Sequence, residues 1–312
     1  MTAPEASREP GAREVLERRF GEILAPEEPL DRHTTMRVGG PARMFFTPRD
    51  IEEAADLLVE LEARRVPTFV LGGGSNLIVK DRGFDGAVIN FSNLTTVRVS
   101  GDRIRCGAGA PLARVAKEAM RRNLSGMEGL VGIPGTIGGA VFMNAGGRNG
   151  EIADVVESVA ALDRKGRLHR LAREQVGFRY RGTGLRDLVV VEAVLKLAPG
   201  EKGAILEGMA AVLRKKHQSQ PMGKRSAGCV FKNPSPERAA AWLIDQAGLK
   251  GERAGGAEVS PRHANFIVNE SAARAADVFA LIERVRREVL LRFQTPLGLE
   301  VKVLGELGLE AA

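Results

Sequence analysis

Cysteine, tryptophan and tyrosine are scarce in this sequence. Its 312 residues include two cysteines, one tryptophan and one tyrosine. Two cysteines cannot build a disulfide framework, and unpaired thiols are typical of a reducing compartment, so we expect a cytoplasmic protein. One tryptophan and one tyrosine offer few rings on which bases could stack, so we expect no nucleic-acid partner.

Long apolar runs are lacking as well. No stretch approaches the ~20 apolar residues of a membrane-spanning helix, so we expect no membrane insertion. Residues 1–20 carry charges of both signs where a secretory signal would be apolar, so export is not expected. A hydrophobic content of 44% with 27% charged residues is typical of a soluble globular chain. The length suits two or three domains.

The basic residues outnumber the acidic ones, but they are dispersed along the chain. The formal net charge is +7 and the sequence pI is about 9.7. Such a charge is compatible with a basic polyanion-binding protein, which we keep as the non-enzymatic alternative. A basic pocket for small, highly anionic ligands explains the same charge with fewer assumptions.

The hydrophobic pattern predicts an α+β fold. Residues 12–23 have the pattern of a short amphipathic helix, and apolar residues at helical spacing follow Asp50, a plausible N-cap. Strand patterns then alternate with helices up to about residue 200. Helical patterns dominate afterwards, so we place a domain boundary near residues 200–205.

Three segments contain closely spaced glycines. "LGGGSN" at residues 71–76 can present successive backbone N–H groups to an anion, although a hairpin turn would also fit. It has neither the spacing of a Rossmann turn nor the Lys-Ser/Thr ending of a P-loop. Residues 126–150 mix glycines with apolar residues, which is unlike a disordered linker, and they offer Thr136 and Asn144 as polar anchors. With "HTTMRVGGPAR" at residues 33–43, three loops are available to surround one long cofactor.

One of the two cysteines lies in "SAGCVFKNP", residues 226–234. Most unpaired cysteines act as small buried hydrophobes, and this is the interpretation we favour for Cys106, in a predicted strand. Cys229 differs because it follows a glycine and is close to Lys232.

Seven motifs in order resemble the flavin-dependent UDP-N-acetylenolpyruvoylglucosamine reductases of bacterial cell-wall synthesis, also called UDP-N-acetylmuramate dehydrogenases (the MurB family). These motifs are "TTMRVGGPA", "LGGGSNLIV", "GLVGIPGTIGGAVFMNAG", "FRYRGTG", "SAGCVFKNP", "HANFIVN" and "GLEVKVLG". The resemblance covers about residues 30–305. It implies a two-subdomain FAD-binding unit of the vanillyl-alcohol-oxidase type and a C-terminal α+β substrate domain. The implied division is an N-terminal helical leader (1–30), two FAD-binding subdomains (31–96 and 97–204) and a substrate domain (205–312) whose final segment returns to the flavin.

The resemblance also implies the reaction. The chain would bind FAD non-covalently, accept hydride from NADPH and reduce the enolpyruvyl ether of UDP-N-acetylglucosamine to UDP-N-acetylmuramate. Hydride from flavin N5 would leave negative charge that spreads into the substrate carboxylate, which requires a fixed cation and a proton source. Arg181, Glu300 and Cys229 match the family's catalytic positions, the last more familiar as serine. Without the motifs, Arg181 and Glu300 would be interpreted as exposed residues of a turn and a strand.

Further site residues follow from the same motifs, and no metal site is expected. The expected FAD-binding residues are Thr35, Arg37, Gly39, Leu71, Gly72, Gly73, Gly74, Ser75, Asn76, Gly132, Ile133, Pro134, Gly135, Thr136, Gly138, Gly139, Ala140 and Asn144. The expected substrate contacts are Tyr180, Gln218, Lys232, Asn233 and His263, with Lys232 and Asn233 at the UDP diphosphate. For His263, a structural hydrogen bond is the favoured alternative.

The resemblance leaves two questions. One subgroup of the family closes a tyrosine-bearing loop over the substrate, whereas Tyr180 is the only tyrosine here, so the sequence resembles the subgroup without that loop. The enzymatic alternative is another flavoprotein of the same fold, such as an alcohol or aldonolactone oxidase, which would use oxygen and lack a UDP site. We expect a monomer.

Overall fold

The structure is a computed structural model that describes residues 11–147 and 149–309. Its α-helices are α1 (Ala12–Phe20), α2 (Ile51–Ala63), α3 (Leu112–Arg121), α4 (Ile137–Met143), α5 (Arg173–Val176), α6 (Lys202–Ser219), α7 (Ala240–Gln246) and α8 (Ala275–Phe293). Short 3₁₀ helices cover Gly21–Ile23, Leu30–His33, Glu128–Leu130 and Ile152–Asp154. None of the helices in these ranges is long and apolar enough to cross a membrane.

The strands alternate with these helices along the chain. They are β1 (Leu24–Pro29), β2 (Pro41–Phe46), β3 (Thr68–Leu71), β4 (Leu77–Val79), β5 (Phe84–Asn90), β6 (Val97–Ser100), β7 (Arg103–Gly107), β8 (Leu124–Ser125), β9 (Gly146–Gly147), β10 (Gly150–Glu151), β11 (Val156–Leu162), β12 (Leu168–Ala172), β13 (Val189–Lys196), β14 (Ala198–Pro199), β15 (Arg225–Cys229), β16 (Arg253–Ala254), β17 (Ala257–Val259), β18 (Phe266–Asn269), β19 (Lys302–Gly305) and β20 (Gly308–Leu309).

The first sheet has the strand order β1-β2-β5-β3 and supports the "LGGGSN" loop at the end of β3. β2, β5 and β3 run parallel, while β1 is an antiparallel edge strand. The predicted helix after Asp50 is confirmed: α2 begins at Ile51, and the Asp50 carboxylate accepts the N–H of Glu53 at 2.8 Å. Leu57, Leu58 and Leu61 of α2 are buried against this sheet.

The second sheet is antiparallel, with the order β12-β11-β13-β7-β6. α3 and α4 pack on one face of it and bury Val115, Ile137 and Val141. The packing role expected for Cys106 is confirmed: the residue is fully buried in this core, and burial raises the pKa of its thiol to about 12. α4 was not predicted from the sequence, because its first turn contains two glycines.

The third sheet has the order β15-β18-β17-β16 and is covered by α7 and α8. Buried residues recur at helical spacing along α8, at Val278, Leu281, Ile282, Val285 and Val289. Asp81, which follows β4, accepts the first two backbone N–H groups of α8 at 2.9 and 3.0 Å. This helix cap therefore joins the C-terminal region to the segment that follows β4.

The end of the chain contributes a strand beside the first glycine loop. β19 runs parallel to β4, with Lys302 opposite Leu77. In the segment predicted as a helical leader, residues 24–29 form β1, and residues 1–10 lie outside the described ranges. The predicted boundary at 204/205 falls inside α6, whose Ile205 and Met209 pack in the core of the second sheet. The division into domains stays a prediction.

Candidate active site

The three glycine-containing segments meet at one place. The N–H of Thr35 donates to the carbonyl of Gly74 at 3.1 Å, and the hydroxyl of Ser75 donates to the carbonyl of Pro134 at 2.9 Å. A Cβ atom added to Gly73 would lie 2.7 Å from the Cα of Gly135. The second loop therefore approaches the first at backbone distance, which only glycine permits.

Three adjoining cavities run along this junction. The outer cavity has about 540 Å³, is lined by β3 and the first glycine loop, and extends to Asp187 and Val189. The central cavity has about 280 Å³ and lies between the two glycine loops. The basic cavity has about 520 Å³ and is lined by Lys215, Lys216 and Lys224. The central cavity shares wall residues with both neighbours, so the three form one long cleft.

The first glycine loop has the features of an anion cradle. Among the described residues, no acceptor is bonded to the backbone N–H groups of Gly73, Gly74 or Ser75. Successive amide groups of this kind can bind a phosphate. Apolar residues, among them Phe69, Val70, Ile133 and Phe142, line the adjoining walls. A cleft with an amide cradle and apolar walls fits a flat ring system joined to a diphosphate.

Most of the expected cofactor residues line this cleft. They are Thr35, Leu71, Gly72, Gly73, Gly74, Ser75, Asn76, Gly132, Ile133, Pro134, Gly135, Thr136, Gly138, Gly139 and Ala140. Arg37, Gly39 and Asn144 line none of the three cavities. Arg37 donates to the carbonyl of Arg32 at 2.8 Å, and a Cβ on Gly39 would lie 2.5 Å from Val79. These two residues hold the shape of the first segment.

Asn144 makes its contacts inside the protein rather than in the cleft. It is 2% exposed, and its Nδ2 donates to the carboxylate of Glu151 at 2.7 Å and to the carbonyl of Arg179 at 3.1 Å. Its Oδ1 accepts the N–H of Ala153 at 3.3 Å. Both polar atoms of its side chain are thus bonded within the protein, which differs from the polar cofactor anchor expected from the sequence.

Arg181 and Glu300 form a partly buried ion pair where the central and basic cavities meet. The Arg181 Nε donates to Glu300 Oε1 at 2.6 Å, and both side chains are largely buried. The Nη1 atom of Arg181 is buried and has no hydrogen-bond partner among the described residues. Burial raises the pKa of Glu300, and this effect exceeds the opposing attraction of Arg181. The site therefore holds a guanidinium with an unused donor beside a carboxyl group that loses its proton at a higher pH than an ordinary glutamate does.

Cys229 lies on the same wall because two segments pair through their backbones. It ends β15, after a register shift at Gly228, whose φ of +77° is in the left-handed region. The N–H of Glu300 donates to the carbonyl of Val230 at 2.8 Å, which brings Glu300 beside the cysteine. Burial, assisted by Glu300, raises the pKa of the Cys229 thiol to about 12. The thiol thus stays protonated at physiological pH.

The five expected substrate residues are spread around this wall. Lys232 and Asn233 are exposed, and the Asn233 Oδ1 accepts the first N–H of α7 at 3.0 Å. Gln218 is exposed and lines none of the three cavities. The Tyr180 ring is 55% exposed, and the Arg181 guanidinium lies 5.1 Å from its centroid. These assignments as substrate contacts stay predictions.

For His263, both the substrate contact and the structural hydrogen bond favoured from the sequence stay predictions. Its ring packs edge-on against Phe266, with 4.9 Å between ring centroids, and Phe266 lines the basic cavity. Its buried Nδ1 has no partner among the described residues, and burial lowers the pKa of the ring.

Sequence reasoning missed the lysines of the basic cavity. Lys215 and Lys216 lie near the C-terminal end of α6, and Lys224 precedes β15. The Lys216 Nζ donates to the carbonyl of Val131 at 2.6 Å, so its ammonium is held against the second glycine loop. The run "RKKH" at residues 214–217 was visible in the sequence, but its orientation depends on how α6 packs.

Comparisons with known proteins agree with this geometry. Residues 42–172 match the model of an FAD binding domain, and residues 220–304 match that of the C-terminal domain of UDP-N-acetylenolpyruvoylglucosamine reductase. The expected fold class, an FAD-binding unit followed by a C-terminal α+β domain, is confirmed. FAD is the cofactor that this unit binds, and the protein is an FAD-dependent oxidoreductase.

Relatives match over nearly the whole chain. UDP-N-acetylenolpyruvoylglucosamine reductase of Clostridium botulinum is 41% identical over 282 residues, covering 90% of this chain and 92% of the relative. UDP-N-acetylenolpyruvoylglucosamine reductase 2 of Symbiobacterium thermophilum is 42% identical, covering 89% of this chain and 91% of the relative. The crystal structure of the Thermus caldophilus reductase aligns with a TM-score of 0.78 at 42% identity, over 90% of this chain and 97% of that one. The resemblance inferred from the motifs is therefore confirmed, and this chain belongs to the UDP-N-acetylenolpyruvoylglucosamine reductase family.

Proposed function

We propose that the protein reduces the enolpyruvyl ether of UDP-N-acetylglucosamine to UDP-N-acetylmuramate, a precursor of peptidoglycan, with NADPH as the reductant. The observation that carries this proposal is the meeting of Arg181, Cys229 and Glu300 on one wall, where the central cavity joins the basic one. The first glycine loop and the apolar walls would hold FAD non-covalently. FAD, when bound, supplies the hydride that NADPH has delivered to it.

Arg181 is suited to the substrate carboxylate. Its Nε is occupied by Glu300, but its Nη1 is buried without a partner among the described residues. A buried donor without an acceptor costs free energy, so a ligand carboxylate bound there is favoured. Addition of hydride to the terminal carbon of the enolpyruvyl group transfers charge into this carboxylate, where the guanidinium stabilises it.

Cys229 is suited to the proton transfer. Reduction of the double bond is completed by a proton on the carbon next to the carboxylate, and the thiol carries one at neutral pH. The positive charge of Arg181 stabilises the thiolate left behind and partly offsets the rise in the pKa of the thiol. Solvent then restores the proton. The Glu300 carboxyl, whose pKa is raised by burial, would donate a hydrogen bond to the same carboxylate when it carries a proton.

The basic cavity is suited to the nucleotide diphosphate. Lys215, Lys216 and Lys224 line it, and Lys216 is fixed by its hydrogen bond to Val131. Compact ammonium groups act as point charges toward phosphate. We therefore assign these lysines, together with the predicted Lys232, to the diphosphate of the substrate.

We further propose that the protein works as a cytoplasmic monomer. All the proposed catalytic groups come from one chain, and Cys229 must remain a reduced thiol to donate a proton. Light scattering of the purified protein tests the monomer, since a doubled mass would contradict it.

The function is tested by following flavin absorbance without oxygen. The purified protein should be yellow, bleach on addition of NADPH more rapidly than with NADH, and regain colour on addition of the UDP-N-acetylglucosamine enolpyruvate. Reduced protein that reacts with oxygen but not with this substrate would indicate an oxidase of the same fold. A protein that stays colourless after incubation with FAD would contradict the proposal altogether.

A further inference from the structure

Asn144 occupies a strained position at the end of α4. It is the C-cap residue of this helix, with φ of +45° in the left-handed region, where asparagine is the commonest residue after glycine. Its buried side chain reaches two places outside the helix, the carbonyl of Arg179 and the carboxylate of Glu151. Arg179 lies two residues before Arg181, so α4 is bonded to the loop that carries the catalytic arginine.

Glu151 is held in a fixed orientation. Its Oε2 accepts the Asn144 Nδ2 at 2.7 Å, and its backbone N–H donates to Asp154 Oδ2 at 2.7 Å. Glu151 pairs with Gly146 between two short strands, where a Cβ on Gly146 would lie 2.4 Å from the Glu151 Cα. Gly146 lines both the central and the basic cavity. The carboxylate is thus attached to the wall of the cleft by contacts that leave it little freedom.

The other oxygen of this carboxylate lies near Arg181. Glu151 Oε1 is 4.0 Å from Arg181 Nη1, too far for a hydrogen bond but close enough for electrostatic attraction at a partly buried site. The guanidinium is therefore placed between Glu300, which takes its Nε, and Glu151, which attracts its other end. The negative charge of Glu151 thus attracts Nη1, while the N–H groups of Nη1 stay available to bond a ligand.

We infer that Glu151 and Asn144 are positioning residues that orient the Arg181 guanidinium for the substrate carboxylate. Asn144 fixes the Glu151 carboxylate, and Glu151 attracts Nη1 without consuming its hydrogen bond. The same asparagine joins this arrangement to α4, whose first residues line the cofactor cavities. The inference rests on the proposed function, because it assigns Arg181 to a carboxylate of the substrate.

The variant Glu151→Gln tests the inference, because the amide oxygen can still accept from Asn144 while the negative charge is lost. Residues of one ionic network are commonly coupled by amounts equivalent to a several-fold to hundredfold change in rate, so we expect flavin reoxidation by the enolpyruvyl substrate to slow about tenfold. Reduction by NADPH should change less than about twofold, because the nicotinamide brings no carboxylate to Arg181. Glu157→Gln is the matched control: it removes a carboxylate paired with Arg103 at 2.7 Å, on the strand that follows.

A double-mutant cycle distinguishes positioning from a structural role. If Glu151 acts through Arg181, the effect of Glu151→Gln on reoxidation should largely disappear in an Arg181→Lys background, whereas Glu157→Gln should be additive with it. Glu151→Asp, which keeps the charge and retracts it, should recover part of the rate. Should Glu151→Gln fail to bind FAD or to fold, Glu151→Asp carries the test, with slowed reoxidation and normal reduction expected.

Three results would overturn the inference. They are an equal loss in both half-reactions, additivity of Glu151→Gln with Arg181→Lys, and an effect of Glu151→Gln no larger than that of Glu157→Gln. Failure of the proposed function looks different, since the unmodified reduced protein would then not be reoxidised by the enolpyruvyl substrate at all. Normal reoxidation of the unmodified protein, with Glu151→Gln behaving like Glu157→Gln, would refute the positioning role alone.

Discussion

Replacement of Cys229 by alanine should separate the two half-reactions. The pKa of this thiol rises from 9.0 to about 12 because of burial and the nearby Glu300. At pH 8 the thiolate fraction therefore falls from about one in ten to about one in 10⁴, so the thiol of the unmodified protein stays protonated across the physiological range. General acids contribute about 10²–10⁴-fold, and Cys229→Ala should slow flavin reoxidation by this factor. NADPH reduction does not need this proton and should be nearly unchanged.

Stopped-flow absorbance, with each half-reaction started separately, measures both rates. Cys229→Ser is the matched variant, since a hydroxyl at the same place can also donate, and it should retain activity. The reoxidation rate of the unmodified protein should show no loss between pH 7 and 9 attributable to ionisation of Cys229. Equal slowing of both half-reactions in Cys229→Ala would refute the reasoning and indicate that the thiol only packs. A loss of rate with a midpoint near pH 9 that is absent from Cys229→Ser would show that burial does not protect the thiol.

Three further predictions concern the carboxyl group, the glycine junction and the helix cap. The pKa of Glu300 is raised, so its carboxyl group loses its proton at a higher pH than usual, and the rate of flavin reoxidation should fall as the pH rises through this pKa. Glu300→Gln should remove this fall in rate. A fall that persists in the variant would contradict the role of Glu300. Gly73→Ala forces the two glycine loops apart, so FAD should bind the apoprotein at least about tenfold more weakly in a fluorescence titration. Gly21→Ala, which has open space around its Cβ, is the control and should bind FAD normally. Equal affinities of the two variants would contradict the role of the first glycine loop in FAD binding. Asp81→Ala removes the cap of α8 and should lower the free energy of unfolding, measured with urea, by about 1 kcal/mol. An unchanged midpoint of the urea transition would contradict this role of Asp81.

Features that depend on local pattern could be predicted from the sequence. The start of α2 after Asp50 follows from a capping side chain and a helical period, both contained in consecutive residues. The convergence of the glycine loops was also predicted, because several glycines with apolar neighbours suggest closely packed backbones. α4 was missed since glycine lowers helix propensity by about 1 kcal/mol. Packing explains one of its two glycines: a Cβ on Gly138 would lie 2.8 Å from that of Ala108.

Features that depend on side-chain partners could not be predicted in the same way. Asn144 was recognised as a polar residue in an apolar loop, but its partners come from segments 7 and 35 residues further along the chain. Lys216 and Glu151 were missed because most lysines and glutamates of such a chain are exposed, and only packing shows which of them face a cleft. The domain boundary near residue 200 illustrates the same limit. A change from strands to helices is visible in the pattern, yet α6 packs with the earlier sheet.

The position of Cys229, the proposed proton donor, is determined by backbone contacts, which explains how a thiol can stand where the family resemblance leads one to expect serine. The N–H of Glu300 is bonded to the carbonyl of Val230, and the N–H of Lys302 is bonded to the carbonyl of Asn76 at 2.9 Å. The Asn76 Nδ2 also donates to the carbonyl of Glu300 at 3.2 Å. These bonds hold residue 229 beside Glu300 whatever its side chain. A free thiol would be partly ionised at alkaline pH, but burial on this wall raises its pKa to about 12, so the group remains a neutral donor as a hydroxyl would be. The environment therefore compensates for the greater acidity of sulfur.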